Sequence, residues 1–450
     1  MEFKLSDEII NEIRGLIESQ QNDQLHRRLA KLHFSDIAEI MERLDYQDAI
    51  HIFNNLDSDI SADTLLEVSS DTRKHILEQL TPKEIAKEID ELNTDDAVDL
   101  IAEIPNEIRH QVINCISKQK HAYDIIELLR YDEDSAGGLM AKEYLKVNEN
   151  WNVFTCIRNL RRQAKTVQRV HSIYVVDDRN NLKGRLSLKD LLTTSTRTPI
   201  KDFYIHNVDY VNVNTEASEV ARKMQKYDLE AIPVIDDLGR LVGRITIDDI
   251  VDVIKESADQ DFQMATGLTQ DVEADDTIFE HARARLPWLF LALIGGFVAV
   301  KIASEFGYMM EQYGVIFFFT PLIAAMAGNV GVQSSAIVVQ ALAKNAFSGS
   351  IFTRLLKEFI LSLVNGLILA LILIITMHLL LNIDFIIGFA VAISLIMVNI
   401  IASLIGTFVP FILDRFKINP ALATGPFITT GNDIVGILIY FYIAKLIIGF

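Results

Sequence analysis

The chain has 450 residues, with 42 basic and 61 acidic side chains, two cysteines and a mean hydropathy of +0.23, a poor match to one soluble globule. Residues 286–450 hold only seven basic and six acidic groups, so 35 basic and 55 acidic groups, a net charge of −20, fall to residues 1–285. An acidic soluble half joined to a nearly uncharged apolar half excludes a purely soluble enzyme, a disulfide-built secreted domain and a disordered chain. Such a polyanion suits small cations as partners and not nucleic acid, whose phosphates want Lys and Arg.

The N-terminus, MEFKLSDEII, has no basic segment followed by an apolar one, so no secretory signal is expected and residues 1–285 are expected in the cytosol. Cys115 and Cys156 lack ligand-spaced neighbours and are expected as buried small side chains. Leu32, Leu44, Leu56, Val68, Leu80, Leu92 and Ile104 recur every 12 residues, and Asp36, Asp48, Glu84 and Asp96 follow four positions later in four of the intervals. This period predicts an all-α superhelix of short helices, each capped by Ser, Thr or Asp, with an acidic outer face that is ordinarily just solvated. Asp95, Asp96 and Asp99 are denser and form the cation-contact candidate of this region.

A second repeat follows at an offset of 59, where IYVVDDRNNLKGRLSLKDLL from Ile173 aligns with IPVIDDLGRLVGRITIDDIV from Ile232. The alternating apolar letters and Asp-Asp turns predict two strand–turn–strand–helix units that pack as one α/β module. Gly184, Ser187 and Asp190 match Gly243, Thr246 and Asp249 in a shared pattern. The whole resembles a tandem CBS-domain pair, in which the hydroxyl and the Asp often hold a nucleotide ribose. Thr246 and Asp249 are thus a nucleotide-binding candidate, and a simple cap on the last helix is the alternative.

Beyond the module, Asp248, Asp252 and Glu256 are spaced by four and Asp259 by three more, placing them on one helix face. Like charges at that spacing cost about 0.2–0.5 kcal/mol per pair. Asp261, Asp271, Glu273, Asp275, Asp276 and Glu280 carry the acidity up to the first apolar stretch. A wet helix face is the ordinary reading. Facing a second acidic surface, however, the stripe would splay when bare and close when a divalent cation bridges the carboxylates.

Five membrane spans are expected, around Leu286–Val300, Tyr313–Ala343, Phe359–Ile383, Phe385–Leu413 and Ile418–Ala444. Arg283 and Arg285, then Lys344, Arg354 and Lys357, then Arg415 and Lys417 mark the loops on the side of the N-terminal domain, while Glu305, Glu311 and Asp384 lie opposite. The positive-inside rule then puts the N-terminus in the cytosol and Phe450 outside. His378, in the third span, reads as a packing histidine. The second span holds the polar patch GNVGVQSS, from Gly328 to Ser335, and the fifth holds PFITTGNDIVG with Asp433 near its centre. A mid-span carboxylate costs ~2.5–3.5 kcal/mol unless it meets water, an ion or a partner, and no mid-span Lys or Arg is available. A protonated structural Asp is the alternative to an ion path.

This order of parts resembles the MgtE-type magnesium channels and transporters over essentially the whole chain. RLPWL at Arg285–Leu289, GNVGVQSS and NPALATGPFITTGND at Asn419–Asp433 carry the resemblance. It implies an acidic helical N-domain over 1–135, tandem CBS domains over 136–258, a connecting helix over 259–284 and a five-span pore domain over 285–450. It further implies a homodimer in the cytoplasmic membrane, taking up Mg²⁺ through a pore between the two membrane domains. By motif Asp433 matches the pore carboxylate, with Asn329, Thr429 and Asn432 as polar lining. Intracellular Mg²⁺ is implied to favour the closed state at sensor positions among Asp95, Asp96, Asp99, Asp228, Asp248, Asp249, Asp252, Glu256 and Asp259. Members commonly carry Asp-Pro-Ala before the fifth span; Asn419 here supplies no carboxylate for a cation contact. A channel gated mainly by ATP or another adenine nucleotide on the CBS pair is the alternative. No G-x-x-x-x-G-K-[ST] loop, second intramembrane acid or HExxH pair marks a pump or an embedded enzyme.

Overall fold

The computed structural model describes residues 4–165, 167, 169–269, 272, 276–309, 313–343, 350–423 and 425–449. Two units divide it, Met1–Ile254 and Lys255–Phe450. The expected acidic positions Asp271, Glu273 and Asp275, with Glu311 and Lys344 of the loops, lie outside the described residues.

In the first unit, helices run from Asp7–Glu18 to Gln119–Leu128, most of them only 8–10 residues long. The 12-residue repeat has a local cause. Each recurring aliphatic residue directly precedes a helix N-cap (Leu32 before His33, Leu44 before Asp45, Leu80 before Thr81), where it staples the entering chain. The recurring acid is the third helical residue. Asp36 accepts the His33 N–H at 3.3 Å, and Glu84 accepts the Thr81 N–H at 2.8 Å. Helices pack on the next but one: Phe34–Met41 on Ser58–Glu67, that on Pro82–Ile89, and that on Asn106–Cys115. Leu29, Ile37, Ile40, Ile52, Leu65, Ile85 and Ile101 form the continuous buried stripe, each stabilising by roughly 1.5–3 kcal/mol. Cys156 is buried as expected, whereas Cys115 is exposed, because its helix buries little beyond Val112.

Two three-stranded sheets follow: β1 (Leu145–Asn148), β2 (Ile173–Val176) and β3 (Leu182–Leu186), then β4 (Val211–Asn212), β5 (Ala231–Ile235) and β6 (Leu241–Thr246). In each sheet the first pair is parallel and the second antiparallel. Val175 pairs with Gly184, Val234 pairs with Gly243, and a register shift follows both pairs, so the sequence repeat is also a repeat of register. Asp177 and Asp236 close the turns by accepting the N–H groups of Asn181 and Arg240. A helix then runs from Ile247 to Thr266 and carries residues of both units.

Among the described residues, the second unit contains five helices long and apolar enough to cross a membrane: Ile278–Glu305, Val315–Ala343, Ile351–Leu381, Phe385–Arg415 and Pro426–Ile448. The shortest, 23 residues, is about 35 Å long against a hydrocarbon layer of about 30 Å. The first starts eight residues before the apolar run, since Thr277 and Glu280 form a capping box there. The fifth starts eight residues after Ile418, because Pro426 occupies its first turn. The fourth is the most buried and the first the least. His378 lies exposed in the last turn of the third helix rather than packed among the spans, close enough to the helix end for its polar tip to reach the interface.

Candidate ion path and cation-sensing cluster

Within the membrane unit, the two polar motifs meet. A Cβ built on Gly331 would fall 1.7 Å from Asn432 Nδ2, and one on Gly328 would fall 3.0 Å from Thr429 Cγ2 and 3.3 Å from the Asp433 carboxylate. Only glycine lets the second span come this close to the fifth. Asn432 is buried; its amide nitrogen donates to Ala402 O at 3.5 Å, and among the described residues its Oδ1 has no partner. Thr429 is half-buried, its hydroxyl donating to Gly425 O at 3.4 Å, while Asn329 is exposed on the second span. Asp433 is half-buried, and among the described residues it has no hydrogen-bond donor and no cationic partner. A mid-span carboxylate is costly unless it meets water, an ion or a partner.

The connecting stretch touches the start of the fifth span. Asn419 Nδ2 donates to Asp261 Oδ1 at 2.8 Å, and Asn419 Oδ1 accepts the Ala421 N–H at 2.9 Å. Gly267, at φ +92°, turns the chain after Thr266 so closely on Pro426 that a Cβ there would lie 2.6 Å from its ring. The helix Ile247–Thr266 therefore ends against the first residue of the helix that carries Asp433.

In the first unit, Asp95, Asp96 and Asp99 of the helix Thr94–Glu103 come together with Asp248 and Asp249. Loss of hydration, then Asp96, Asp249 and Glu143, pushes the Asp95 carboxyl well above the ordinary range. Asp96 is pushed up to about 7 by loss of hydration and then Asp249, Asp99, Asp248 and Asp63. Asp99 is pushed up to about 7 by loss of hydration and then Glu133, Asp249 and Glu103. Asp249 is raised, again foremost by burial. Sequence reasoning missed Asp63, Glu133 and Glu143. Glu143 accepts Thr94 N–H at 3.2 Å and Thr94 Oγ1–H at 2.8 Å, pinning the module to the helical array across 49 positions of sequence. Asp252, Glu256 and Asp259 line the exposed face of the helix Ile247–Thr266. Asp228 is an exposed left-handed cap on the helix Ala217–Tyr227, at φ 52°. Among the described residues, no three His, Cys, Asp or Glu side chains converge tightly enough to grip a bare metal ion.

The two copies of the CBS pattern differ in use. Thr246 N–H and Oγ1–H both donate to Asp249 Oδ2, at 2.9 and 2.7 Å, in a helix cap beside the acidic cluster. Ser187 and Asp190 instead line an open cavity of about 390 Å³ with His171 and Arg185.

A carboxylate-bearing polar seam among five spans, attached to an acidic helical array and a CBS pair, defines a multi-pass transporter of divalent cations rather than an enzyme. Residues 320–443 match the family profile described as divalent cation transporter, residues 32–134 that of the MgtE intracellular N domain, and residues 136–196 and 200–256 that of the CBS domain. The chain is 35% identical over 433 residues to the magnesium transporter MgtE of Enterococcus faecalis, covering 96% of this chain and 95% of that protein. It is 34% identical over 332 residues to the protein of the same name from Thermus thermophilus, covering 72% of each. The crystallised cytosolic domain of the Mg²⁺ channel MgtE in complex with ATP is similar at 31% identity and a TM-score of 0.51, over 54% of this chain and 99% of that one. The chain belongs to the MgtE family of magnesium transporters.

Proposed function

We propose that the chain is a Mg²⁺-selective channel for uptake across the cytoplasmic membrane, closed by intracellular Mg²⁺. The carrying observation is Asp433, half-buried in mid-span with no donor or cation among the described residues and set against Gly328 of the second span. A homodimer with its two-fold axis through the pore would present two such carboxylates to one divalent ion, with Asn329, Thr429 and Asn432 touching the ion through water. The basic groups Arg283, Arg285, Arg354, Lys357, Arg415 and Lys417 support cytosolic placement of their loops, and an odd number of spans then leaves the C-terminus outside. Replacing Asp433 by Ala should abolish Mg²⁺ uptake in proteoliposomes; uptake at the wild-type rate and selectivity would remove this role.

Gating follows from the raised carboxyls. Packing Asp95, Asp96 and Asp99 against Asp249 is unfavourable while all are ionised, and a divalent cation relieves that repulsion. High internal Mg²⁺ thus favours the packed arrangement. The contacts of Gly267 with Pro426 and of Asn419 with Asp261 connect the helix Ile247–Thr266 to the pore helix. An adenine nucleotide is the second regulator the geometry favours, in the cavity lined by Ser187 and Asp190 rather than at Thr246 and Asp249. The similar cytosolic domain was crystallised with ATP. Calorimetry of the full chain with ATP should give a heat of binding that Asp190→Ala removes and Asp249→Asn does not.

A further inference from the structure

Among its described residues the membrane unit carries a second carboxylate within the spans, and this one is buried. Glu358, in the first third of the third span, is only 4% exposed. It accepts a hydrogen bond at 2.6 Å from Ser334 Oγ, inside the polar motif of the second span. Arg354, one turn earlier, brings Nη2 to 3.9 Å of the other carboxylate oxygen. One turn later, Ser362 Oγ stands within hydrogen-bond distance of Ser403 Oγ of the fourth span, at 2.5 Å, and of Glu358 O, at 2.8 Å. The fourth span closes the ring, because a Cβ on Gly406 would fall 2.3 Å from Gly331 O. Second, third and fourth spans are therefore locked together around Gly331, the residue whose bare backbone admits Asn432. Ser334 lies three residues from Gly331, on the same helical face. Its bond to Glu358 fixes the rotation at which Gly331 and Gly328 present themselves to Asn432 and Asp433. An ionisable group among the spans is costly without a task, and no step described above uses this one.

We infer that Glu358 is a positioning residue for the ion path: through Ser334 it holds the second span in the rotation that shapes the site around Asp433. The inference rests on the role proposed for Asp433. It is tested by Mg²⁺ uptake of the full chain in proteoliposomes, normalised to folded protein, with the concentration dependence resolved into KM and maximal rate. Glu358→Ala should raise KM by roughly tenfold, the effect of one lost charge-assisted hydrogen bond. Glu358→Gln keeps an acceptor for Ser334 and should stay close to wild type. Ser334→Ala should reproduce the Ala effect, and the double variant should add nothing to it. A merely structural role would lower the amount of folded protein and the maximal rate at constant KM. An unchanged KM in Glu358→Ala, beside uptake abolished by Asp433→Ala, overturns the inference and leaves the pore reading standing; wild-type uptake in Asp433→Ala overturns both. If Glu358→Ala yields no folded protein, Ser334→Ala decides, and an unchanged KM there also overturns the inference.

Discussion

Neutralising Asp96 tests the repulsion on which the proposed gating is built. Its carboxyl rises from the ordinary 3.8 to about 7, first by loss of hydration and then through Asp249, Asp99, Asp248 and Asp63. A carboxyl raised in this way holds its proton more tightly in the folded than in the unfolded chain. Its contribution to stability is therefore complete below 3.8 and is lost as pH climbs through about 7. The rise corresponds to ~4 kcal/mol, an upper bound, since Asp96 is only partly buried and water still screens it. Asp99 keeps more exposed surface, so its share is smaller still. Asp96→Asn removes the charge and nearly keeps the shape. At pH 8, without divalent ions, the variant should resist urea unfolding better than wild type by about 1–4 kcal/mol. Near pH 4 the two should coincide. Millimolar Mg²⁺ should also close the gap, because a bridging cation cancels the charge that a proton cancels. Circular dichroism of the detergent-solubilised chain reads the transition. A difference between variant and wild type that is independent of pH, or equal stabilisation of both by Mg²⁺, would refute the reasoning.

Asn419→Asp places a carboxylate where the amide now donates to Asp261 at 2.8 Å, replacing an attraction by a repulsion of about 1–4 kcal/mol. Protease protection of the helix Ile247–Thr266 should then require Mg²⁺; full protection in EDTA counts against that coupling. Gly331→Ala puts a methyl 1.7 Å from the Asn432 amide and should abolish uptake, whereas Gly296→Ala, with nothing within 4 Å, should leave it intact. Equal flux in both would mean that the second and fifth spans do not need their close approach.

The regular parts of the fold were legible in sequence where one residue type has one local task. Leu32, Leu44 and Leu80 sit before N-caps, so their 12-residue spacing is the length of a helix and its turn. The 59-residue offset appears as matched pairings of Val175 with Gly184 and of Val234 with Gly243. Hydropathy found the five spans but not their ends, which Thr277 with Glu280 and Pro426 decide. Charge alone misplaced Glu358. Beside Arg354 and Lys357 it reads as loop, yet the helix starts at Ile351 and turns it inward to Ser334. Asp63, Glu133 and Glu143 had no sequence signal, because packing within the helical array brings the first two to the cluster and packing of the second module brings Glu143.

The deepest contrast is between residues the repeat makes equivalent. Glu84 and Asp96 are both the third residue of their helices, at the same place in the 12-residue period. Glu84 accepts hydrogen bonds from Thr81 and is held below the usual carboxylate range by them. Asp96 follows Asn93, which makes no side-chain cap bond, and instead faces Asp249. The repeat thus supplies an acid that favours the helix locally, since a negative charge at a helix N-terminus is stabilising. Packing of the second module turns that acid into an unpaired charge. A local preference that agrees with the fold at one repeat and opposes it at the next is what the proposed sensing role of Asp96 requires. Proton and divalent cation relieve the same repulsion with the same sign, so under the proposed gating acidification should imitate high internal Mg²⁺ and favour the closed state.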